Sequence, residues 1–232
     1  MTQVAVHPIT FLVYVGSTFL VPLIALGTYL SSGASLRKSL AISLCTSVWG
    51  LIMFLFARYW QFEIGNPVIV WLLVFINLLW PSLLVIVYRD FFIGDGLSMA
   101  WLTFVQATRY MGGLFILENL RGLTGIEFAY TSGFGDVIAA VIATTLLLQL
   151  LTGGSPNKFV YLFLICFGTL DFVIAYSLSF LSSQGIPFQT FALGEGHYMS
   201  LFPLAQIPFF LVPFAMANHI MMYLTIRKTN LA

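Results

Sequence analysis

Three charged residues, Arg109, Asp136 and Asp171, lie within long apolar stretches of this sequence and are its first candidates for chemistry. If those stretches cross a bilayer, an ionised side chain near the centre costs about 2.5–3.5 kcal/mol, so such residues usually face the bundle interior and pair with one another. One arginine against two aspartates leaves an excess negative charge. A proton or a bound cation would balance that charge, and the group could therefore exchange protons.

Two uncharged polar residues extend this set. Gln106 lies on the same predicted helical face as Arg109, and His219 is the only histidine within a predicted span. Because intramembrane ionisable groups mark ion, proton or substrate paths, we predict a substrate or proton pathway formed by Gln106, Arg109, Asp136, Asp171 and His219. The same charges could instead form a structural ion pair that fixes helix packing, worth on the order of 1 kcal/mol.

The composition places these residues in a membrane. Of the 232 residues, 60% are hydrophobic and 7% are charged, whereas soluble domains carry about 25% charged residues. Charge-free stretches such as 39–57 and 137–157 have about the 20 residues that a membrane-spanning helix needs. We therefore predict an all-α, polytopic transmembrane helix bundle that forms one domain over residues 1–232 and is surrounded by the lipid bilayer.

Seven spans are predicted. They cover residues 9–30, 39–57, 66–88, 98–118, 133–152, 159–182 and 200–226. The Lys and Arg residues on one side of these spans are Arg37, Lys38, Arg89, Lys158, Arg227 and Lys228, and those on the other side are Arg58 and Arg121. Because cytoplasmic loops are enriched in Lys and Arg, the N-terminus is predicted outside and the C-terminus inside a multi-pass cell membrane protein.

Helix geometry predicts which charges meet. At about 1.5 Å per residue, Arg109 and Asp171 lie about 16 and 18 Å from the inner face, so these two residues form the best candidate salt bridge. Asp136 lies only about 5 Å below the outer end of its predicted span. Cys45 and Cys166 fall inside spans and are expected to be core packing residues.

The last span contains Pro203, Pro208 and Pro213. A proline within a helix removes a backbone hydrogen bond and crowds the preceding turn, so this helix is predicted to be bent. The bend could expose carbonyl groups to a cavity, as in transporter helices, or could serve packing alone.

Several classes of protein are excluded or disfavoured. A retinal Schiff base needs a lysine within a span, whereas all lysines lie at predicted helix ends. A haem held by two histidines would need a second histidine at membrane depth. No nucleotide-binding or metal-binding motif occurs, and no basic run is present to hold nucleic acid. We expect no cofactor, no bound metal and no nucleic-acid partner.

Four motifs surround the candidate site residues. They are Gln106-x2-Arg109-x2-Gly112-Gly113, Phe128-Ala129-x3-Gly133-x-Gly135-Asp136, Gly168-x2-Asp171-Phe172-x2-Ala175 and Pro203-x4-Pro208-x4-Pro213-x5-His219. The sequence here resembles a family of small, uncharacterised bacterial polytopic membrane proteins. The resemblance implies a bacterial inner-membrane location and supports the choice of site residues, but it implies no established activity.

Three classes of function stay open, of which we favour the first. A small proton-linked transporter or permease would bind a polar or anionic solute at Arg109, exchange protons at the two aspartates and gate access with the bent last helix. A non-catalytic membrane subunit or assembly factor would use the same charges to hold the bundle together and would bind a membrane protein partner. A membrane-embedded enzyme, or a haem- or quinone-binding protein, is disfavoured because no paired nucleophile and base is present.

Overall fold

Every regular element in the described part of the chain is helical. The computed structural model describes residues 6–60, 66–183, 186 and 202–229. Its α-helices are α1 (Pro8–Ser31), α2 (Leu36–Leu55), α3 (Pro67–Val87), α4 (Arg89–Ile93), α5 (Met99–Ala107), α6 (Leu114–Leu120), α7 (Ile126–Leu151), α8 (Lys158–Ser182) and α9 (Val212–Thr229). A 3-10 helical segment, Thr108–Gly113, joins α5 to α6, and π-helical turns at Phe56–Trp60 and Ile207–Leu211 follow α2 and precede α9.

Six helical stretches among the described residues are long and apolar enough to cross a membrane. They are Pro8–Ser31, Leu36–Tyr59, Val68–Val87, Ile126–Leu151, Lys158–Ser182 and Ile207–Lys228. Each overlaps one predicted span, which confirms the prediction of a helical, multi-pass membrane protein. Residues 200 and 201 of the last predicted span lie outside the described residues.

The predicted span 98–118 differs from the others because it is not one regular α-helix. It consists of α5, the 3-10 segment Thr108–Gly113 and α6 in direct succession. Two consecutive glycines, Gly112 and Gly113, lower the local preference for α-helix. The hydroxyl of Tyr14 on α1 donates a hydrogen bond of 3.0 Å to the Met111 carbonyl, so a neighbouring helix satisfies a backbone group of this segment. The segment that carries Arg109 is thus a broken helix.

The predicted start of the fifth span, residue 133, is wrong. Helix α7 begins at Ile126, and Glu127 lies in its first turn, where the helix dipole favours a negative side chain. Polar residues that indicate a loop in the sequence therefore form the first turns of a helix. As a consequence Asp136 lies about 15 Å from the start of α7 rather than the expected 5 Å.

Helix α9 lies at the centre of the bundle, in contact with α3, α5 and α8. The π-helical turn before it frees backbone carbonyls, which neighbouring side chains bind. The Pro208 carbonyl accepts a hydrogen bond of 2.9 Å from the Tyr176 hydroxyl, and the Phe209 carbonyl accepts one from the Asn77 amide. Satisfying freed carbonyls in this way is how membrane helices tolerate proline, and the irregular turn agrees with the disruption that the prolines predict.

The expected packing role of the two cysteines is wrong. Cys45 on α2 and Cys166 on α8 are both exposed, so their thiols face outward from the bundle. Because lipid tails are as apolar as the side chains of neighbouring helices, the apolar character of a cysteine does not show which of the two it meets.

Candidate functional site

Arg109 lies at the centre of the candidate site and binds both aspartates. Its Nε donates to Asp136 Oδ1 at 2.7 Å and its Nη2 donates to Asp171 Oδ2 at 2.5 Å. The Arg109 and Asp171 side chains are 5% and 6% exposed, and that of Asp136 is 15% exposed. The predicted ion pair between Arg109 and Asp171 is confirmed, and Asp136 joins it because α7 starts earlier than expected. We call these three residues the charged cluster.

Two glycines allow the carboxylates to approach this closely. A Cβ atom at Gly112, in the broken helix, would overlap the side chain of Asp136. A Cβ atom at Gly135, on α7, would likewise overlap the carboxylate of Asp171 on α8. Small residues let membrane helices pack with their backbones close together, and here they also make room for charged side chains.

A third glycine makes room for the arginine. A Cβ atom at Gly168 would lie 2.5 Å from Arg109 Nη1 and 2.9 Å from His219 Nε2. The guanidinium carbon of Arg109 lies 4.0 Å from the centre of the Phe172 ring, which is a cation–π geometry. The same ring stacks on His219, with ring centres 5.6 Å apart. His219 is therefore a direct neighbour of the charged cluster.

Gln106 and His219 extend the cluster along α9. The Gln106 side-chain amide donates to Asn218 Oδ1 at 2.7 Å and to the Ala215 carbonyl at 3.3 Å. His219 Nδ1 lies 3.2 Å from Thr169 Oγ1. The side chains of Gln106, Asn218 and His219 are almost fully buried. All five residues proposed from the sequence thus lie in one connected region.

Four buried polar atoms in this region have no hydrogen-bond partner within the described parts of the chain. They are Gln106 Oε1, Arg109 Nη1, Asn218 Nδ2 and His219 Nε2. Because buried polar groups in folded proteins are nearly always hydrogen-bonded, these atoms mark places where water or a polar group of a ligand would bind.

A cavity of about 60 Å³ reaches the charged cluster and is lined by both Arg109 and Asp136. A space of this size can hold a few water molecules. Most of the lining is apolar and comes from α1, α5, the 3-10 segment, α6, α8, α9 and the turn that precedes α9. These apolar residues are Leu20, Val21, Ile24, Val105, Met111, Phe115, Phe172, Ile207, Leu211, Val212, Phe214 and Ala215.

Glu118, a fully buried carboxylate on α6, did not stand out in the sequence. Its Oε1 accepts hydrogen bonds from Thr10 Oγ1 at 2.5 Å and from the His7 backbone N–H at 3.0 Å. Its Oε2 accepts one from Arg121 at 3.0 Å. The three-residue spacing of Glu118 and Arg121 is typical of a helical ion pair, and this spacing is the feature of the sequence that could have identified Glu118. These contacts tie the start of α1 to the broken helix.

The fold and site define an α-helical integral membrane protein with a buried arginine–aspartate cluster beside a cavity. Within that class, the chain belongs to the family described as Domain of unknown function (DUF8737), whose profile matches residues 59–227. The matched region contains all five candidate site residues, and it agrees with the predicted resemblance to an uncharacterised family. No match to the chain was found among curated proteins or among solved structures.

Proposed function

We propose that the protein is a small proton-linked transporter for an anionic solute. Arg109 binds the solute, and Asp136 and Asp171 exchange protons. The observation that carries this proposal is the cavity lined by both Arg109 and Asp136. An ion pair that only holds helices together gains nothing from a neighbouring cavity, because the cavity removes packing contacts, whereas a binding site requires one.

In this proposal the chain crosses a bacterial inner membrane seven times, with its N-terminus outside and its C-terminus inside. The broken helix from Met99 to Leu120 is the additional crossing, and at 1.5 Å per residue it extends over about 33 Å. Interrupted helices that carry binding residues near the midplane are common in transporters. The distribution of Lys and Arg at the span ends supports the orientation.

Charge balance provides the coupling between solute and proton. With both aspartates ionised, the charged cluster carries one net negative charge, which one proton neutralises. Protonation of the second aspartate as well leaves Arg109 without a counter-ion, so that it can pair with an anion. Each anion is then accompanied by one proton, and the site avoids an unpaired charge in the membrane.

The turn before α9 is the proposed gate. Ile207 and Leu211 belong to the π-helical turn and also line the cavity. π-helical turns occur frequently at functional sites, and a change in this turn would open or close the cavity next to Arg109.

Proteoliposomes that contain the pH-sensitive dye pyranine test the proposal. Chloride, phosphate, lactate or octanoate is added outside, while potassium and valinomycin hold the membrane potential at zero. We expect at least one of these anions to acidify the interior faster with the protein than without it. The Asp136→Asn, Asp171→Asn double variant should lose this acidification, and Arg109→Lys should slow it by about tenfold or more, because loss of one charge-assisted hydrogen bond costs about 1.5–3 kcal/mol.

The matched control is Arg37→Lys, which alters an exposed arginine and should keep the parent rate. Acidification no faster than in protein-free liposomes for every anion would contradict the proposal. Acidification by the Arg109→Lys variant at the rate of the parent protein would also contradict it.

A non-catalytic subunit or assembly factor is the second candidate, favoured by the exposure of α2. This helix fully buries only Ser39 and Gly50, so its face away from α1 is open to a membrane protein partner. A stoichiometric partner that copurifies after mild solubilisation, together with no protein-dependent proton entry, would favour this second candidate.

A further inference from the structure

We infer that the solute is an amphipathic carboxylic acid that enters the cavity from the bilayer. This inference rests on the proposed function and specifies its substrate class. Three features carry it: the largely apolar walls of the cavity, the pairing of a cation, Arg109, with a proton acceptor, Asp136, at its polar end, and the exposure of its mouth to the lipid-facing side of α1.

The cavity walls favour an alkyl chain over a hydrated solute. Val21 and Ile24 on α1 face Leu211 and Phe214 across the cavity. A hydrated ion such as phosphate would lose water against these apolar side chains, which offer no hydrogen bond in exchange. An alkyl chain makes close dispersion contacts with the same walls. The lining therefore selects a ligand with an apolar body.

The polar end of the cavity selects a carboxylic acid as the head group. The hydroxyls of Tyr14 and Thr108 line the cavity, but they already donate to the carbonyls of Met111 and Val105. Ser17 adds a neutral hydroxyl to the lining. The charged groups are the guanidinium of Arg109, which binds carboxylates, and the carboxylate of Asp136, which accepts a proton. A carboxylic acid supplies both partners.

The mouth of the cavity faces the acyl-chain region of the membrane. Leu20 lines the cavity and is 40% exposed on α1. Leu20 lies about 18 Å from the start of α1, midway along this helix of 24 residues. Exposure at this depth is exposure to lipid. A cavity of about 60 Å³ encloses the head group and the first carbons, and the remaining chain extends past Leu20 into the bilayer.

The acid enters in its uncharged form, which avoids moving an unpaired charge through the apolar mouth. Its O–H bond breaks, the proton forms a new O–H bond on the Asp136 carboxylate, and the ligand carboxylate replaces Asp136 on Arg109 Nε. The total charge of ligand and charged cluster does not change. Asp171 carries the proton that neutralises the resting cluster, and it keeps its hydrogen bond from Arg109 Nη2 throughout this step.

Photolabelling in phosphatidylcholine nanodiscs tests this inference. The probe is decanoate with a diazirine in its chain, and mass spectrometry maps the labelled residues. We expect the probe to label cavity residues such as Val21 and Leu211. Excess decanoate should suppress this labelling, whereas decanol, which has the same chain without the acid, should not. This comparison uses the unaltered chain, so it does not depend on whether a variant folds.

Val21→Phe fills the cavity without changing the charged cluster and should reduce the decanoate-sensitive labelling by about tenfold. The matched control is Leu23→Phe, on the lipid-facing side of the same helix. This variant should leave the decanoate-sensitive labelling unchanged. Equal competition by decanol, or unchanged cavity labelling in Val21→Phe, would overturn the inference. Protein-dependent, proton-linked uptake of chloride or phosphate without cavity labelling would also overturn it, while leaving the proposed transport function in place.

Discussion

Replacing Arg109 by glutamine should lower the free energy of unfolding by about 3–5 kcal/mol, because removal of one partner leaves a buried charge uncompensated. Asp136 and Asp171 would lose the nitrogen atoms that lie 2.7 and 2.5 Å away in the folded protein. The cation–π contact with Phe172 would be lost as well. Unfolding by sodium dodecyl sulfate in mixed micelles, followed by tryptophan fluorescence, measures the change.

A charge-repair variant distinguishes lost charge balance from lost packing. Arg109→Gln combined with Asp136→Asn and Asp171→Asn removes all three charges, so we expect much of the lost stability to return. Arg37→Gln, at an exposed position, should change stability by no more than about 0.5 kcal/mol. A triple variant no more stable than Arg109→Gln alone would contradict the charge-balance explanation.

Replacing Gly135 by alanine should break the ion pair between Arg109 and Asp171. The added methyl group would overlap the Asp171 carboxylate, so either the carboxylate must rotate away or α7 and α8 must separate. Overpacking costs about 1–3 kcal/mol, and loss of a charge-assisted hydrogen bond adds about 1.5–3 kcal/mol. The same unfolding measurement should therefore show a loss of about 3 kcal/mol or more.

Gly16→Ala is the matched control for this substitution. Gly16 lies within α1 and has open space where a Cβ atom would be. Alanine is the better helix former by about 1 kcal/mol, so this variant should be as stable as the parent or slightly more stable. Parent-like stability in Gly135→Ala would show that α7 and α8 do not need the close approach seen here.

The sequence predicted the Arg109–Asp171 pair because both positions could be counted from the well-marked N-terminal ends of their predicted spans. The same counting misplaced Asp136, since the charges and turn formers of residues 119–132 hide the true helix start at Ile126. The break at Thr108–Gly113 also escaped prediction. Gly112 and Gly113 are a weak local signal for it, and the contact that supports it comes from the hydroxyl of Tyr14, which is distant in sequence.

The sequence could not predict how each helix is rotated about its own axis. The motif before Asp136 contains both Gly133 and Gly135, and its spacing does not show that Gly135 is the residue that makes room for Asp171. The outward-facing Cys45 and Cys166 were misplaced for the same reason. Because lipid tails are as apolar as the side chains of neighbouring helices, hydrophobicity alone does not distinguish the two kinds of neighbour.

The proposed transport requires that Asp136 and Asp171 exchange protons within the folded protein. Infrared difference spectroscopy of the reconstituted protein tests it most directly, because a protonated carboxyl group has a carbonyl absorption that a carboxylate lacks. We predict a carboxyl band that changes reversibly with pH, disappears in the Asp136→Asn, Asp171→Asn double variant and persists in Glu118→Gln. Carboxyl absorption that stays constant over the whole pH range in which the protein remains folded would contradict the claim.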